Sequence, residues 1–328
     1  MKHINYSSIG QFRNAVKNVQ LSTAYQREVE GKHIKNPTIK FTGTVKAHGT
    51  NASIVISPEG EQYAQSRTAV LSLSKDNAGF AAFAHSVKDT IAGMRVAIEL
   101  LNPDIEDKTI VIYGEWCGKG IQKGVGISEV DRFFMPFGVK VLEEKNNRWL
   151  THLPMLTSPI KRIFDVREFG TFEILVDFEH PEEAQNTLVN ITEQVEKQCH
   201  IAQFFGIAGI GEGVVWTSPD QEIKFKVKGE KHSNSKVKKL AEVDVEKLNS
   251  IKEFVDYAVT ENRLKQMFLE NVGTHPDRAL LGKFIKAVST DVVKEEPDTL
   301  VASGLSMKDV GSALSKKARN WFFEQEKL

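Results

Sequence analysis

Cysteine, long apolar runs and net charge are all scarce in this sequence. Its 328 residues include two cysteines, Cys117 and Cys199, which are too few for a disulfide framework or a cysteine-rich zinc site. No apolar run approaches the roughly 18 residues that a membrane-spanning helix needs, and the first residues are too polar for a secretory signal. We therefore expect an intracellular, cytoplasmic protein with reduced thiols and no membrane partner.

The formal charge is balanced, with 43 basic and 43 acidic residues, so no global field of one sign indicates a nucleic-acid binder. One stretch departs from this balance. Residues 224–239 contain seven lysines and one histidine against a single acid, Glu230. Such a stretch suits a phosphate-bearing partner, although charge density alone fits a solvated strand edge and helix face at least as well.

Length and hydrophobic periodicity predict an α+β protein with two domains. Short β-branched runs recur through the first two thirds of the chain. After Leu240 the apolar residues take helical spacing, over residues 245–259, 261–272, 276–289 and 306–323. We therefore predict a β-rich domain with flanking helices over residues 1–242 and a small all-helical domain over residues 243–328.

Lys46 is the first candidate functional residue. An apolar run over residues 39–45 leads into it and a second run follows, which predicts a β-meander over residues 39–66 with the lysine at a turn between strands. Gly49 would let the backbone approach a ligand, and Asn51 can bond to a sugar or a phosphate. The meander would bring Lys46 and Arg67 together across strands.

A nucleophilic lysine requires help, because an amine with a reference pKa of about 10.4 is almost fully protonated at neutral pH. Neighbouring cations disfavour protonation. Lys224 and Lys226 are alternate residues of a predicted strand, so their side chains should enter the same cleft. We expect them, with a Mg²⁺ ion, to activate Lys46 and then to neutralise a phosphate as charge develops on it.

Six short elements occur in a fixed order along the chain, and together they are far more specific than Lys-x-x-Gly alone. They are Lys46-Ala47-His48-Gly49, Ser66-Arg67, Tyr113-Gly114-Glu115, Phe133–Phe137, Glu212–Val215 and Lys224–Gly229. In this order they resemble the covalent nucleotidyltransferases. Over roughly residues 40 to 240 the chain is similar to the ATP-dependent RNA ligases of the phage RNA ligase 2 family.

The resemblance implies a fold and a role for each matching residue. The fold would be an antiparallel β nucleotidyltransferase core, an ATP-grasp-like ligase core, with flanking helices. Lys46 would form lysyl-AMP, and His48 would serve the later RNA-adenylating step. The other implied roles are nucleotide contacts at Val45, Ala47, Asn51, Arg67, Glu115 and Phe134, a metal contact at Glu212, and phosphate contacts at Lys224 and Lys226.

The chain also departs from the family pattern. Val45 precedes the lysine where relatives often have an acid, so a contact there must come from the backbone. Gly138 occupies the usual acidic position after Phe137, which leaves the adenine-stacking residue open between Phe134 and Phe137. Trp216 and the residue after it stand where a further lysine is expected.

The implied function is an RNA ligase that uses ATP with Mg²⁺ or Mn²⁺. It would act as a monomer and join RNA ends bearing a 3′-hydroxyl and a 5′-phosphate, at nicks in duplex RNA or RNA-containing hybrids. Three alternatives remain. A DNA ligase or a GTP-using capping enzyme would append a β-barrel, for which no Gly-punctuated strands follow Leu240. A catalytically silent relative would bind nucleic acid through residues 224–239 without nucleotide transfer.

Overall fold

The computed structural model describes residues 1–30, 34–144, 146–230 and 251–325. The chain divides into two units, Met1–His232 and Ser233–Leu328. The boundary predicted between residues 242 and 243 lies outside the described residues. The assignment of residues 1–242 to adenylyl transfer and of residues 243–328 to the nucleic-acid steps remains a prediction.

Ten strands in the first unit form two five-stranded sheets. The strands are β1 (Gly10–Gln11), β2 (Thr38–Val45), β3 (Thr50–Ile56), β4 (Gln62–Ser66), β5 (Ile110–Cys117), β6 (Phe133–Val141), β7 (Arg148–Trp149), β8 (Thr171–Asp177), β9 (Gly213–Thr217) and β10 (Lys224–Lys228). The first sheet has the order β1-β10-β9-β2-β8, and the second has the order β4-β3-β5-β6-β7. All the strand pairs in these sheets are antiparallel except β1 with β10. The predicted α+β fold with an antiparallel core is confirmed.

The predicted β-meander is wrong at its first strand. β2 pairs with β8 and β9 in the first sheet, whereas β3 pairs with β4 and β5 in the second. The chain therefore crosses from one sheet to the other between Val45 and Thr50. Hydrophobic runs predict strands but do not specify which strands pair, because pairing partners here are distant in sequence.

Helices flank both sheets of the first unit. They are α1 (Phe12–Glu30), α2 (Phe80–Ser86), α3 (Lys88–Leu101), α4 (Gln185–Lys197) and α5 (His200–Phe204). α1 buries Ala15 and Val19 in an apolar cluster with Phe41 and Phe225 of the first sheet. α2 and α3 cover one face of the second sheet, where their buried residues join Ile54 of β3. The N-terminal segment lies against the other face of this sheet.

The described part of the second unit consists of helices, as predicted. They are α6 (Ile251–Ala258), α7 (Glu261–Asn271), α8 (Leu281–Glu295), α9 (Pro297–Ala302) and α10 (Met307–Gln325). They enclose an apolar cluster of their own around Phe254, Phe284 and Phe322. The predicted helical segments do not include α9, which begins at Pro297, although proline is favoured at the first position of a helix. None of the described helices is both long enough and apolar enough to cross a membrane.

Candidate active site

Lys46 lies where the chain passes from the first sheet to the second. Its backbone N–H donates to the carbonyl oxygen of Gly213 at 2.8 Å, which continues the β2–β9 ladder by one residue. This register brings the residue before β9, Glu212, beside the lysine. Lys46 Nζ donates to Glu212 Oε2 at 2.6 Å, and 21% of the lysine side chain remains exposed.

Glu212 binds three basic side chains while only 2% of its own side chain is exposed. Oε2 is bonded to Lys46 and lies 3.0 Å from His48 Nδ1, and Oε1 lies 3.1 Å from Lys228 Nζ. Burial raises the pKa of Glu212, but Lys46, Lys228 and His48 outweigh burial and hold it well below its usual value. Glu212 is therefore an ionised carboxylate beneath the lysine loop.

Lys46 opens onto a cavity of about 320 Å³ that residues of both sheets line. The predicted site residues on its wall are Val45, Lys46, Ala47, Asn51, Glu115 and Lys224. The other predicted site residues do not line it; they are His48, Arg67, Phe134, Glu212 and Lys226. The structure thus brings together the predicted nucleophile and most of the predicted nucleotide contacts.

Asn51 and Glu115 are cross-strand neighbours on β3 and β5 and point to the same cavity. The Oδ1 atom of Asn51 is buried and has no hydrogen-bond partner among the described residues. Glu115 Oε1 accepts from the backbone N–H of Gly49 at 3.3 Å. Burial raises the pKa of Glu115 to about 7, with Lys46 opposing the rise and Glu212 adding to it. Asn51 and Glu115 therefore give the cavity wall two side chains whose oxygens can accept hydrogen bonds from hydroxyl or amino groups.

The prediction that Phe134 stacks on a base is wrong. Phe134 is fully buried on the other face of β6, where its ring centroid lies 5.2 Å from that of Phe80. The alternative residue, Phe137, lines the cavity. Phe134 and Phe137 are three residues apart on β6, so strand alternation places their side chains on opposite faces, and Phe137 shares the face of Met135, which also lines the cavity. A β-bulge falls at the same place, because Gly114 pairs with Pro136 but Tyr113 pairs with Gly138, which leaves Phe137 as the extra residue.

The two predicted phosphate-binding lysines have different surroundings. Lys224 lines the cavity and places Nζ 3.4 Å from the ring centroid of Trp149. Burial, together with the nearby charge of Lys140, lowers the pKa of Lys224 to about 7. Lys226 follows on the same face of β10, between Lys224 and Lys228, but does not line the cavity. Lys228 was missed by the sequence analysis, although the alternation that selected Lys224 and Lys226 extends to it.

Arg67 and His48 lie beside the cavity. Arg67 follows β4, and its charge opposes the rise in the pKa of Glu115, so the two groups are near each other. His48 contacts Glu212, as described above. The sequence analysis expected Arg67 to approach Lys46 because their strands would belong to one meander. Arg67 follows β4, which belongs to the second sheet and does not pair with β2, so it approaches the site from that sheet.

The cavity also has lining residues that no sequence signal indicated. Tyr6 reaches it from the N-terminal segment, and its ring centroid lies 5.5 Å from that of Phe137. At another part of the wall, Thr42 and Thr217 are cross-strand neighbours on β2 and β9. These positions depend on long-range packing, and a lone tyrosine or threonine in a sequence does not predict it.

No group of three or more His, Cys, Asp or Glu side chains in the described ranges is arranged to hold a metal ion. Glu212, the predicted metal contact, has both carboxylate oxygens engaged by basic side chains. The protein by itself therefore offers at most a partial metal site. Mg²⁺ commonly binds in this way, through one or two carboxylates completed by the phosphates of a substrate.

Comparisons with known proteins identify a family and several similar solved structures. A family model described as RNA ligase matches residues 39–238. Similar solved structures include Naegleria gruberi RNA ligase with pyrophosphate (TM-score 0.44, 16% identity) and two mutants of it, one with AMP and Mn and one with ATP and Mn (TM-score 0.43 and 14% identity for each). Each alignment covers 70% of this chain and 57% of the other, so the chain spans little more than half the length of those proteins. No curated protein sequence matches. Because the family match spans more than half of the chain, the protein belongs to the RNA ligase family.

Proposed function

We propose that this protein is an ATP-dependent RNA ligase of the phage RNA ligase 2 type, which adenylylates itself on Lys46. The observation that carries the proposal is the position of the Lys46 amine. It lies at a cavity lined by Asn51, Glu115 and Lys224, and the Oδ1 atom of Asn51 has no hydrogen-bond partner among the described residues. A nucleophile, two acceptors and a cation converge there, as an adenylate donor requires.

The lining suits ATP in three parts. Phe137 offers an aromatic face to adenine, and the backbone at Val45 and Ala47 lies on the same wall. Glu115 and Asn51 can accept from ribose hydroxyls or the adenine amino group. Lys224 can pair with a phosphate, which would also compensate its buried charge.

The first step is attack of the Lys46 amine on the α-phosphorus of ATP. The Lys46 ammonium first releases one proton to solvent, and the neutral amine then attacks. The nitrogen–phosphorus bond forms as the bond to the pyrophosphate oxygen breaks, pyrophosphate leaves, and the nitrogen releases its second proton to solvent. To react, Lys46 must leave its ion pair with Glu212. His48 and Lys228 remain on Glu212 when the lysine departs, so the buried carboxylate is never left without a partner.

Glu212 is the residue that would hold Mg²⁺ or Mn²⁺, which would neutralise phosphate charge in this reaction. In the later steps AMP passes to the 5′-phosphate of an RNA end, and a 3′-hydroxyl then displaces AMP to seal the strand. His48, which contacts Glu212, would serve the RNA-adenylating step. We assign nicked duplex RNA or hybrids as the substrate, a monomer as the active form and the cytoplasm as the location.

Labelling tests the proposal directly. Protein is incubated with Mg²⁺ and α-labelled ATP, GTP or NAD and then run on a denaturing gel. We expect label from ATP alone, none in Lys46→Ala or Lys46→Arg, and wild-type labelling in Lys40→Ala. Lys40 is a matched control because it is an exposed lysine on β2, the strand that leads into Lys46. Label from GTP alone, or label that persists in Lys46→Arg, contradicts the proposal.

A second experiment addresses the substrate. Nicked duplexes with RNA or DNA on the 3′-hydroxyl strand separate RNA sealing from DNA sealing, because the 2′-hydroxyl is the group that differs. We expect sealing of the RNA strand to be faster. Equal sealing of both strands would favour a DNA ligase.

A further inference from the structure

A second cavity, of about 660 Å³, adjoins the proposed ATP site in the first unit. The two cavities share Tyr6, Ile9, Gln221 and Lys224 on their walls, so they meet beside the lysine that would grip phosphate. The second cavity extends away from Lys46 and runs along α1. Neither the sequence motifs nor the family match accounts for it, because α1 lies before residue 39.

One wall of this cavity is a ridge of small polar side chains on α1. Asn14, Asn18, Ser22 and Gln26 recur at four-residue spacing and therefore lie along one face of the helix. All four are exposed, and none has a side-chain hydrogen bond to the rest of the described chain. Amides and hydroxyls both donate and accept, so the ridge offers uncharged hydrogen-bonding groups to a ligand.

Basic and aromatic side chains form the rest of the wall. Lys140 and Lys224 place their Nζ atoms 5.1 and 3.4 Å from the ring centroid of Trp149. Lys35, which is exposed, lines the cavity as well. Among the described residues of this wall, Glu222 is the only acid, against the three lysines Lys35, Lys140 and Lys224. Such an excess of cations near each other favours a bound anion.

We propose that the second cavity binds one of the RNA ends that are joined, with phosphodiester groups at the lysines and base edges or 2′-hydroxyls at the α1 ridge. This inference rests on the proposed function. Pyrophosphate would satisfy the lysines but would leave the uncharged ridge without a role. RNA needs both walls, because its phosphates require cations and its hydroxyls and bases require groups that donate and accept.

Charge placed on the ridge tests this assignment. Asn18→Asp is nearly isosteric and adds one negative charge inside the cavity, and Ser22→Asp does so one turn further on. Ala24→Asp adds the same charge to α1 at an exposed position outside the cavity and is the matched control. Thermal melting of each variant verifies that α1 still folds.

The probes are a fluorescein-labelled RNA strand for affinity, a pre-adenylylated RNA for sealing, and α-labelled ATP for adenylylation of Lys46. Repulsion between one carboxylate and a nearby phosphate should weaken RNA affinity about tenfold in Asn18→Asp and Ser22→Asp. Lysine adenylylation should change less than RNA affinity. Ala24→Asp should keep the wild-type affinity for RNA.

Two outcomes overturn the inference. RNA affinity that is the same in Asn18→Asp, Ser22→Asp and Ala24→Asp shows that the ridge does not contact RNA. Loss confined to pyrophosphate exchange on lysyl-AMP assigns the cavity to pyrophosphate instead. Failure of the proposed function looks different: the wild-type protein would then take no label from ATP, while the affinity measurement would still test the cavity.

Discussion

A buried carboxylate is costly to keep ionised unless cations surround it, and Glu212 contacts three basic side chains. This arrangement explains how one glutamate can serve both the resting and the reacting protein. It neutralises Lys46 in the structure, and in the proposed reaction it would keep His48 and Lys228 as partners. Lys228 therefore contributes to the site although it does not line the cavity.

The ionisation of Glu115 should control nucleoside binding. Burial raises its pKa to about 7, and hydroxyl groups bond best to the ionised form, so affinity should rise with pH. From pH 6 to pH 8 the ionised fraction of a group with that pKa rises about tenfold. We expect a rise of that size in the affinity for adenosine, measured by calorimetry, and no pH dependence in Glu115→Gln.

Adenosine is the right ligand because it lacks phosphate. Lys224, with a pKa lowered to about 7, loses its charge over the same pH range and so weakens its grip on phosphate as pH rises. ATP affinity should therefore rise less steeply than adenosine affinity, and Lys224→Arg should restore the steeper rise. An adenosine affinity that is independent of pH in the wild-type protein would show that Glu115 does not bind the ribose.

The same substitution should affect ligand affinity at Phe137 and protein stability at Phe134. Phe137→Leu removes an aromatic face from the cavity wall and should weaken ATP binding roughly tenfold, the effect of losing one stacking contact. Phe134→Leu alters a fully buried side chain and should lower stability by about 1 kcal/mol with little effect on affinity. Calorimetry and thermal melting measure the two effects. The same loss of ATP affinity in both variants would refute the assignment of Phe137.

For individual residues, the sequence predicted which side chains belong to the site better than it predicted the direction in which each side chain points. Lys46, Asn51 and Glu115 were predicted from their motifs and lie together on the cavity wall. The motif left the stacking residue open between Phe134 and Phe137, and the structure buries Phe134 on one face of β6 and places Phe137 on the cavity wall. Alternation along a strand separates the two faces, but only long-range packing decides which face meets the cavity.

The loop between β2 and β3 is held by close packing against β5. A Cβ added at Gly49 would lie 2.4 Å from the carbonyl oxygen of Trp116 and 3.0 Å from Cys117 Sγ. Backbone atoms cannot move aside as a flexible side chain can. Gly49 is therefore required so that the lysine loop can approach the end of β5, where Glu115 lies.

Gly49→Ala should displace this loop. We expect a loss of stability of about 1 to 3 kcal/mol, typical of overpacking, and a fall in lysine adenylylation of at least tenfold. Gly93→Ala in α3 is the control, because a Cβ there meets open space and alanine favours helix. Denaturant unfolding and the labelling assay measure both variants. Wild-type adenylylation in Gly49→Ala would show that the loop position does not matter.

Sheet membership was the part of the fold that sequence could not supply. The strand runs were recognisable, but β2 pairs with β8 and β9, more than 120 residues away in the chain, and not with β3. That crossover brings Lys46 from one sheet and Glu115 from the other to a single cavity. A local hairpin would have kept the lysine within one sheet.

At the scale of the whole molecule, the described apolar core residues form separate clusters in the two units of the chain. The large clusters of the first unit draw on described residues up to Phe225, and the cluster of the second unit begins at Phe254. None of these clusters of described residues includes a residue of the other unit. Each unit therefore has the means to bury its own apolar surface.

Removing residues 245–328 should accordingly leave the first reaction step intact. Among the described residues, those that line the cavity and those that pair with Glu212 all precede residue 230. We expect the shortened chain to melt cooperatively and to adenylylate Lys46 within about threefold of the full chain, since no lining group is lost.

Sealing of nicked RNA should fall much further if the helical unit serves the nucleic-acid steps. Lys46→Ala in the shortened chain verifies that any label resides on the lysine. A folded short chain that takes no label from ATP would show that residues 245–328 take part in lysine adenylylation.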